Sequence, residues 1–119
     1  MSCPPDFAVY SGNDDLLLPI LSLGGQGVIS VASNVCPASV KAVADAWEKG
    51  DPKKAETLFL SLLPLINSLF SEVNPIPVKA AMGLLGFDCG ECRLPLTKLS
   101  AEKYRILQNA LISFFPDLL

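Results

Sequence analysis

From residue 7 the apolar positions fall into two short runs separated by a segment of helix length. Phe7–Ala8–Val9–Tyr10–Ser11–Gly12 closes on a turn signal, Asp14 to Leu23 ends at Gly24–Gly25, and Gly27–Val28–Ile29–Ser30–Val31–Ala32–Ser33 is the second run. The pattern predicts a strand, a helix and a second strand over residues 7–34. Strands joined through a helix pair in parallel, with a right-handed crossover. Parallel sheets normally have many strands and are covered on both faces. A lone parallel pair with two open edges therefore predicts a piece of something larger.

After residue 34 the pattern changes to helical spacing. Pro37 suits a first helical turn, Val40, Val43, Ala44 and Trp47 share one face, and Gly50 ends the segment. Asp51–Pro52 reads as an N-cap followed by proline at the first helical position. The helix that follows is expected to reach about Ser71. Leu58, Phe59, Leu62, Ile66, Leu69 and Phe70 form its main stripe, and Leu60, Leu63 and Leu65 widen it, so it should be buried on more than one side. Pro64 is expected to kink it. Asn74–Pro75–Ile76–Pro77 reads as a rigid loop, because each proline disfavours helix in the residue before it. A short helix over about Val78 to Leu85 ends at Gly86, residues 87–99 read as irregular, and Ser100 caps a last helix carrying Tyr104, Leu107, Leu111 and Phe114 on one face before Pro116. Strand–helix alternation that runs out into helices is how a (β/α) barrel can finish.

Composition sharpens the sense of incompleteness. Apolar residues make up 50% of the 119 positions and mean hydropathy is +0.43. Charged residues are 18%, below the ~25% typical of soluble domains. The uncharged stretch from Thr57 to Ser71 contains Pro64, Asn67 and several serines, and is shorter than the ~18 residues a membrane helix needs. The longer one from Leu16 to Val40 is broken by Pro19, Gly24, Gly25, Gly27 and Pro37. The excess apolar character therefore reads as surface meant for other polypeptide, not for lipid. A net charge of −3, with Arg93 and Arg105 the only arginines, leaves no electrostatic footprint for nucleic acid. Met1–Ser2–Cys3–Pro4–Pro5 lacks the charged and apolar regions of a signal peptide, and with four cysteines this points to a cytoplasmic protein. There is no histidine, so any chemistry must run on lysine, tyrosine, cysteine, carboxylates or backbone dipoles.

Four segments together carry a family resemblance. They are Tyr10–Ser11–Gly12–Asn13–Asp14, Leu23–Gly24–Gly25–Gln26–Gly27–Val28–Ile29–Ser30–Val31–Ala32–Ser33–Asn34, Asn74–Pro75–Ile76–Pro77–Val78–Lys79 and Cys92–Arg93–Leu94–Pro95–Leu96. In this order they resemble the C-terminal part of the dihydrodipicolinate synthase family, in the class I aldolase group that includes N-acetylneuraminate lyase. The Gly-Gly-x-Gly-Val-Ile-Ser segment is shared across the group, whereas Asn-Pro-Ile-Pro-Val-Lys with Arg-Leu-Pro-Leu is much more specific to the synthase branch. The resemblance implies an α/β fragment: the last two parallel strands and helices of a (β/α)8 (TIM) barrel over residues 1–50, then a C-terminal three-helix extension over 51–119. It implies condensation of pyruvate with aspartate semialdehyde in lysine and diaminopimelate biosynthesis, through a Schiff base on a strand-six lysine. That lysine, the tyrosine proton shuttle and the pyruvate-carboxylate loop would all lie upstream of this chain. The family pattern also implies that Gly12 lies close to the substrate pocket and that the Ile29 main chain faces the Schiff-base region. No residue here is assigned to catalysis, and no cofactor or metal is implied.

The remaining chemistry reads as structural. Among the lysines, Lys79 is the best placed for a Schiff base, but a helix-start cation or a carbonyl-bonding residue is the simpler reading. Asn74 is a rim residue or a turn-forming residue before proline. Cys89-x-x-Cys92 lacks the histidines or second pair of a zinc site and the βαβ context of a redox motif. Asp14–Asp15 reads as a pair favoured by a helix N-terminus. Gly24–Gly25–Gln26–Gly27 precedes a strand, the wrong context for a dinucleotide fingerprint. Phe114–Phe115 with Leu118–Leu119 reads as a packed apolar terminus. Two readings of the whole follow: part of a Schiff-base lyase that is inactive alone, or a stand-alone, truncated, non-catalytic assembly module. A different pyruvate-dependent aldolase of the same group is a variant of the first. Either way, the open edges predict homo-oligomers or self-association.

Overall fold

The computed structural model describes residues 3–117. Met1, Ser2, Leu118 and Leu119, which belong to the N-terminal segment and the apolar terminus discussed above, lie outside the described residues. The element order is β1 (Tyr10–Ser11), α1 (Leu17–Ser22), β2 (Gly27–Val28), α2 (Pro37–Glu48), α3 (Pro52–Leu69), α4 (Ile76–Leu84) and α5 (Ala101–Phe114). Short 3-10 turns at Asp14–Leu16 and Ala32–Asn34 follow the two strands.

The strands pair in parallel, with Tyr10 opposite Gly27 and Ser11 opposite Val28. Backbone bonds from Gln26 N to Val9 O (2.8 Å) and from Ile29 N to Ser11 O (2.9 Å) extend the ladder at both ends. Both strands are shorter than expected. The second was expected to run to Ser33, but it turns away after Ile29 because the Asp14 carboxylate captures the following amides, as detailed below. Among the described residues no third strand joins the pair. Phe7, Val9, Tyr10 and Ile29 remain open to solvent along it.

Local signals account for the helix boundaries. Pro37 and Pro52 occupy first-turn positions, where a missing N–H costs nothing. Gly50, at φ +75°, closes α2, a left-handed position that suits glycine. Asp51 then caps α3, its carboxylate accepting the Lys54 amide at 3.0 Å. Ser100 caps α5 more loosely, accepting the Lys103 amide at 3.4 Å. The helix after the proline loop starts two residues earlier than expected, at Ile76, with Pro77 in its first turn. α3 continues through Pro64.

The core lies where α2, α3 and α5 meet. Leu62, Leu65 and Leu69 from α3, Val43 from α2, and Leu107 and Leu111 from α5 are essentially inaccessible to solvent. α3 is buried on more than one side, as its broad stripe predicts, although Leu60 and Phe70 stay exposed. On α2 it is Ala46, one position round from the expected face, that is fully buried, and Ala44 is half-buried. Phe114 and Phe115 pack against the core and against each other edge to face, with ring centroids 4.8 Å apart. The molecule is a slab of 45 × 34 × 21 Å with a radius of gyration of 15.6 Å. A compact chain of this length would have about 13.5 Å, so this one spreads its apolar surface instead of closing on itself. Among the described residues no helix is long and apolar enough to cross a membrane.

Candidate functional site

Gly12 and Ile29 come together because each directly follows its strand at the same end of a parallel pair. Gly12 is exposed, and a Cβ built on it would meet nothing within 4 Å. Ile29 is 71% exposed, which excludes a buried strand side chain within this chain. Its amide is tied to Ser11 O, while among the described residues no donor meets its carbonyl. The C-terminal end of the pair thus offers an unobstructed glycine surface beside an available main-chain acceptor.

Asp14 holds this end in shape. It is 2% exposed, and its carboxylate is taken up entirely by donors from the second run. The Ser30 hydroxyl donates to Oδ1. The amides of Val31 (2.8 Å) and Ala32 (3.1 Å) donate to Oδ2. Ser30 Oγ in turn accepts the Ser33 amide at 2.8 Å, and the Ser33 hydroxyl returns to Ser30 O at 3.1 Å. A buried carboxylate without a cation is tolerable only when its lone pairs are filled in this way. Asp14 and Asp15 both stand at a helix start, in the first turn of the 3-10 segment, but only Asp15 is exposed, and Asp14 faces inward across the strand pair. Sequence reading missed this tie because the partners stand 16 to 18 residues apart. The one local hint was the Ser30-x-x-Ser33 spacing, which suits a serine-stabilised turn.

Cys36 closes the floor of this region, with its thiol against Ala32 O. Burial first, and the nearby Asp14 carboxylate second, push its pKa up to about 11. At about pH 8.5, near the unperturbed thiol value, iodoacetamide is expected to alkylate the exposed Cys3 and Cys89 and to spare Cys36 until the chain is denatured. Labelling of Cys36 in native protein as fast as Cys89, read by peptide mass spectrometry, would contradict the burial described.

Beyond the end of β2 a groove of about 350 Å³ is bordered by Val31, Asn34, Asn74, Pro75, Lys79 and Met82. Asn74 borders this groove from the turn that leads into α4. Lys79 projects from α4, its ammonium donating to Glu91 O at 2.9 Å. This matches the carbonyl-bonding reading of that residue. A larger cavity of about 530 Å³ lies on the other side of Lys79, between α4, the 87–99 segment and α5. Its charged groups are largely neutralised by one another: Lys98 pairs with Glu91 at 2.7 Å, which draws the Glu91 carboxyl below and the Lys98 amine above their ordinary values. Cys92 borders this cavity and Cys89 the smaller groove. None of the seven lysines is buried, and an amine is activated for Schiff-base formation chiefly by desolvation. What the strand ends offer is main-chain hydrogen bonding and shape.

Similarity to known proteins extends over nearly the whole chain. A family model described as the dihydrodipicolinate synthetase family matches residues 1–113. A 4-hydroxy-tetrahydrodipicolinate synthase from Acetivibrio thermocellus is 50% identical over 109 residues, covering 92% of this chain and 37% of that protein. One from Methanococcoides burtonii is 46% identical over 106 residues, covering 89% and 36%. The crystal structure of dihydrodipicolinate synthase from Aquifex aeolicus superimposes with a TM-score of 0.90 at 42% identity, covering 98% of this chain and 39% of that one. The enzyme from Cyanidioschyzon merolae, solved with lysine bound, gives 0.89 at 43% identity, covering 92% and 37%. The chain thus spans little more than a third of the length of the relatives it matches.

Proposed function

The chain belongs to the dihydrodipicolinate synthetase family, and from that membership we propose that it forms the C-terminal part of a pyruvate-dependent class I aldolase. In this reading β1 and β2 are strands seven and eight of a (β/α)8 barrel, residues 1–50 complete the barrel, and residues 51–119 form the helical extension. The assembled enzyme condenses pyruvate with aspartate semialdehyde on the route to diaminopimelate and lysine, in the cytoplasm and as a homo-oligomer.

The observation that carries the reading is the juxtaposition of Gly12 and Ile29. Barrel active sites form at the C-terminal ends of the strands. There this chain places an open glycine surface and an unengaged carbonyl side by side. Gly12 leaves room for substrate, and the Ile29 carbonyl accepts a hydrogen bond from the pyruvate-derived intermediate. The amine comes from a strand-six lysine supplied by polypeptide preceding these residues. The exposed side chains of Phe7, Val9, Tyr10 and Ile29 pack against that polypeptide.

The test joins these residues behind the part of the Acetivibrio thermocellus relative that precedes its matched segment. Pyruvate and borohydride are then added, and adducts are located by peptide mass spectrometry. A reduced pyruvyl adduct is expected on the preceding part of the assembly, and none on the 119-residue chain alone. An adduct on Lys79 of the isolated chain, or none in the assembly, would overturn the proposal.

A further inference from the structure

The unassigned group with the most demanding surroundings is the buried Asp14 carboxylate. Three donors converge on it, from Ser30 Oγ, Val31 N and Ala32 N, and they belong to the three residues that immediately follow Ile29. The peptide group between Ile29 and Ser30 is therefore held from both sides. Ser11 O fixes the Ile29 amide at 2.9 Å, and Asp14 fixes the chain just beyond the Ile29 carbonyl. A residue bonded in this way has little freedom to rotate its carbonyl. No protein donor engages that carbonyl among the described residues. Asp14 itself lies two residues after Gly12, so one side chain references both walls of the strand end to each other.

We propose that Asp14 is a positioning residue, which aims the Ile29 carbonyl into the pocket by anchoring Ser30, Val31 and Ala32. The inference rests on the reading of Gly12 and Ile29 as pocket residues. Asp14 touches no substrate, and its effect passes through the backbone of Ile29. A displacement of about 1 Å in a group that orients the reacting atoms can cost up to ~100-fold in rate. An Asp14→Asn change keeps the shape of the side chain and one acceptor for the two amides. It turns an N–H2 toward Ser30 Oγ, whose hydroxyl must then find another acceptor while still receiving the Ser33 amide.

The experiment uses the same assembly as the adduct test, comparing the parent with Asp14→Asn, Ser30→Ala and Val43→Ala. Val43 is fully buried in α2 and serves as a core substitution that destabilises without touching the strand ends. For Asp14→Asn, kcat is expected to fall by about ten-fold with each KM changed less than about two-fold, the pattern of a contact that matters mainly in the transition state. Ser30→Ala, which removes one of the three donors, should show the same split at about three-fold. Val43→Ala should lower the melting temperature and leave kcat unchanged while folded. Wild-type kcat in Asp14→Asn and Ser30→Ala, with the parent adduct intact, overturns this inference and spares the functional reading. Absence of the adduct in the parent overturns both. A kcat loss in Val43→Ala equal to that in Asp14→Asn would reduce Asp14 to a purely structural role and overturn the inference as well.

Discussion

Gly25→Ala is expected to destabilise the chain by about 3 kcal/mol, the upper end of what overpacking costs. Gly25 lies where α1 hands over to β2. A Cβ placed on it would come within 2.5 Å of Ile20 Cγ1, 2.9 Å of Ile20 O and 3.1 Å of Val9 O. The side-chain contact could be relieved by a rotamer change at Ile20, but the two carbonyl contacts are backbone. Moving away from them strains the bond from Gly25 N to Ile20 O (2.8 Å), which ends α1, and the bond from Gln26 N to Val9 O (2.8 Å), which starts the strand ladder. The neighbouring Gly24 makes a useful contrast. It has φ +87° but open space around it, so Gly24→Ala should cost only about 1 kcal/mol of backbone strain. Urea unfolding at fixed protein concentration distinguishes the two. Equal midpoints for Gly24→Ala and Gly25→Ala would show that the crowding at Ile20 and Val9 is not felt.

Leu107→Ala is expected to cost about 2–5 kcal/mol, the range for emptying a leucine-sized site in a close-packed core. The placement of α5 explains why. It follows the irregular 87–99 segment and is held to α3 and α4 chiefly through Leu107 and Leu111, both at 0% exposure. Polar ties are few: the Lys103 ammonium donates to Ser71 O at 2.7 Å and lies 3.3 Å from the Glu72 carboxylate. Small domains carry only about 5–15 kcal/mol of stability in total, so a loss of this size should release α5 before the rest unfolds. Amide exchange over residues 101–114 should accelerate more than exchange in α2. Ile106→Ala, at a position 51% exposed, should change stability by less than about 0.5 kcal/mol. A Leu107→Ala chain with unchanged protection in α5 would contradict this account of how the helix is docked.

The helical half was legible from sequence because its boundaries are set locally. Pro37 and Gly50, Asp51–Pro52, Gly86 and Ser100 each act on the turn they belong to, and each stands at or next to a helix end. The second strand was legible only in its first residues. Val31 and Ala32 look like strand by composition, but their amides are captured by a carboxylate far upstream, and single-sequence periodicity carries no record of such a partner. Gly12 and Ile29 entered through family likeness, since nothing in hydrophobic spacing distinguishes a pocket-facing glycine from a turn glycine. Ile29 would read from its apolar run as a core residue, yet it is open to solvent. In the proposed enzyme the same apolar character suits an interior formed jointly with preceding strands. The division at residue 50 remains part of that proposal. α2 and α3 pack against each other within one continuous core.

The Asp14 tie also has a dynamic consequence. Because one carboxylate joins the turn after β1 to the turn after β2, the segments carrying Gly12 and Ile29 are expected to move as a single body and not as two independent loops.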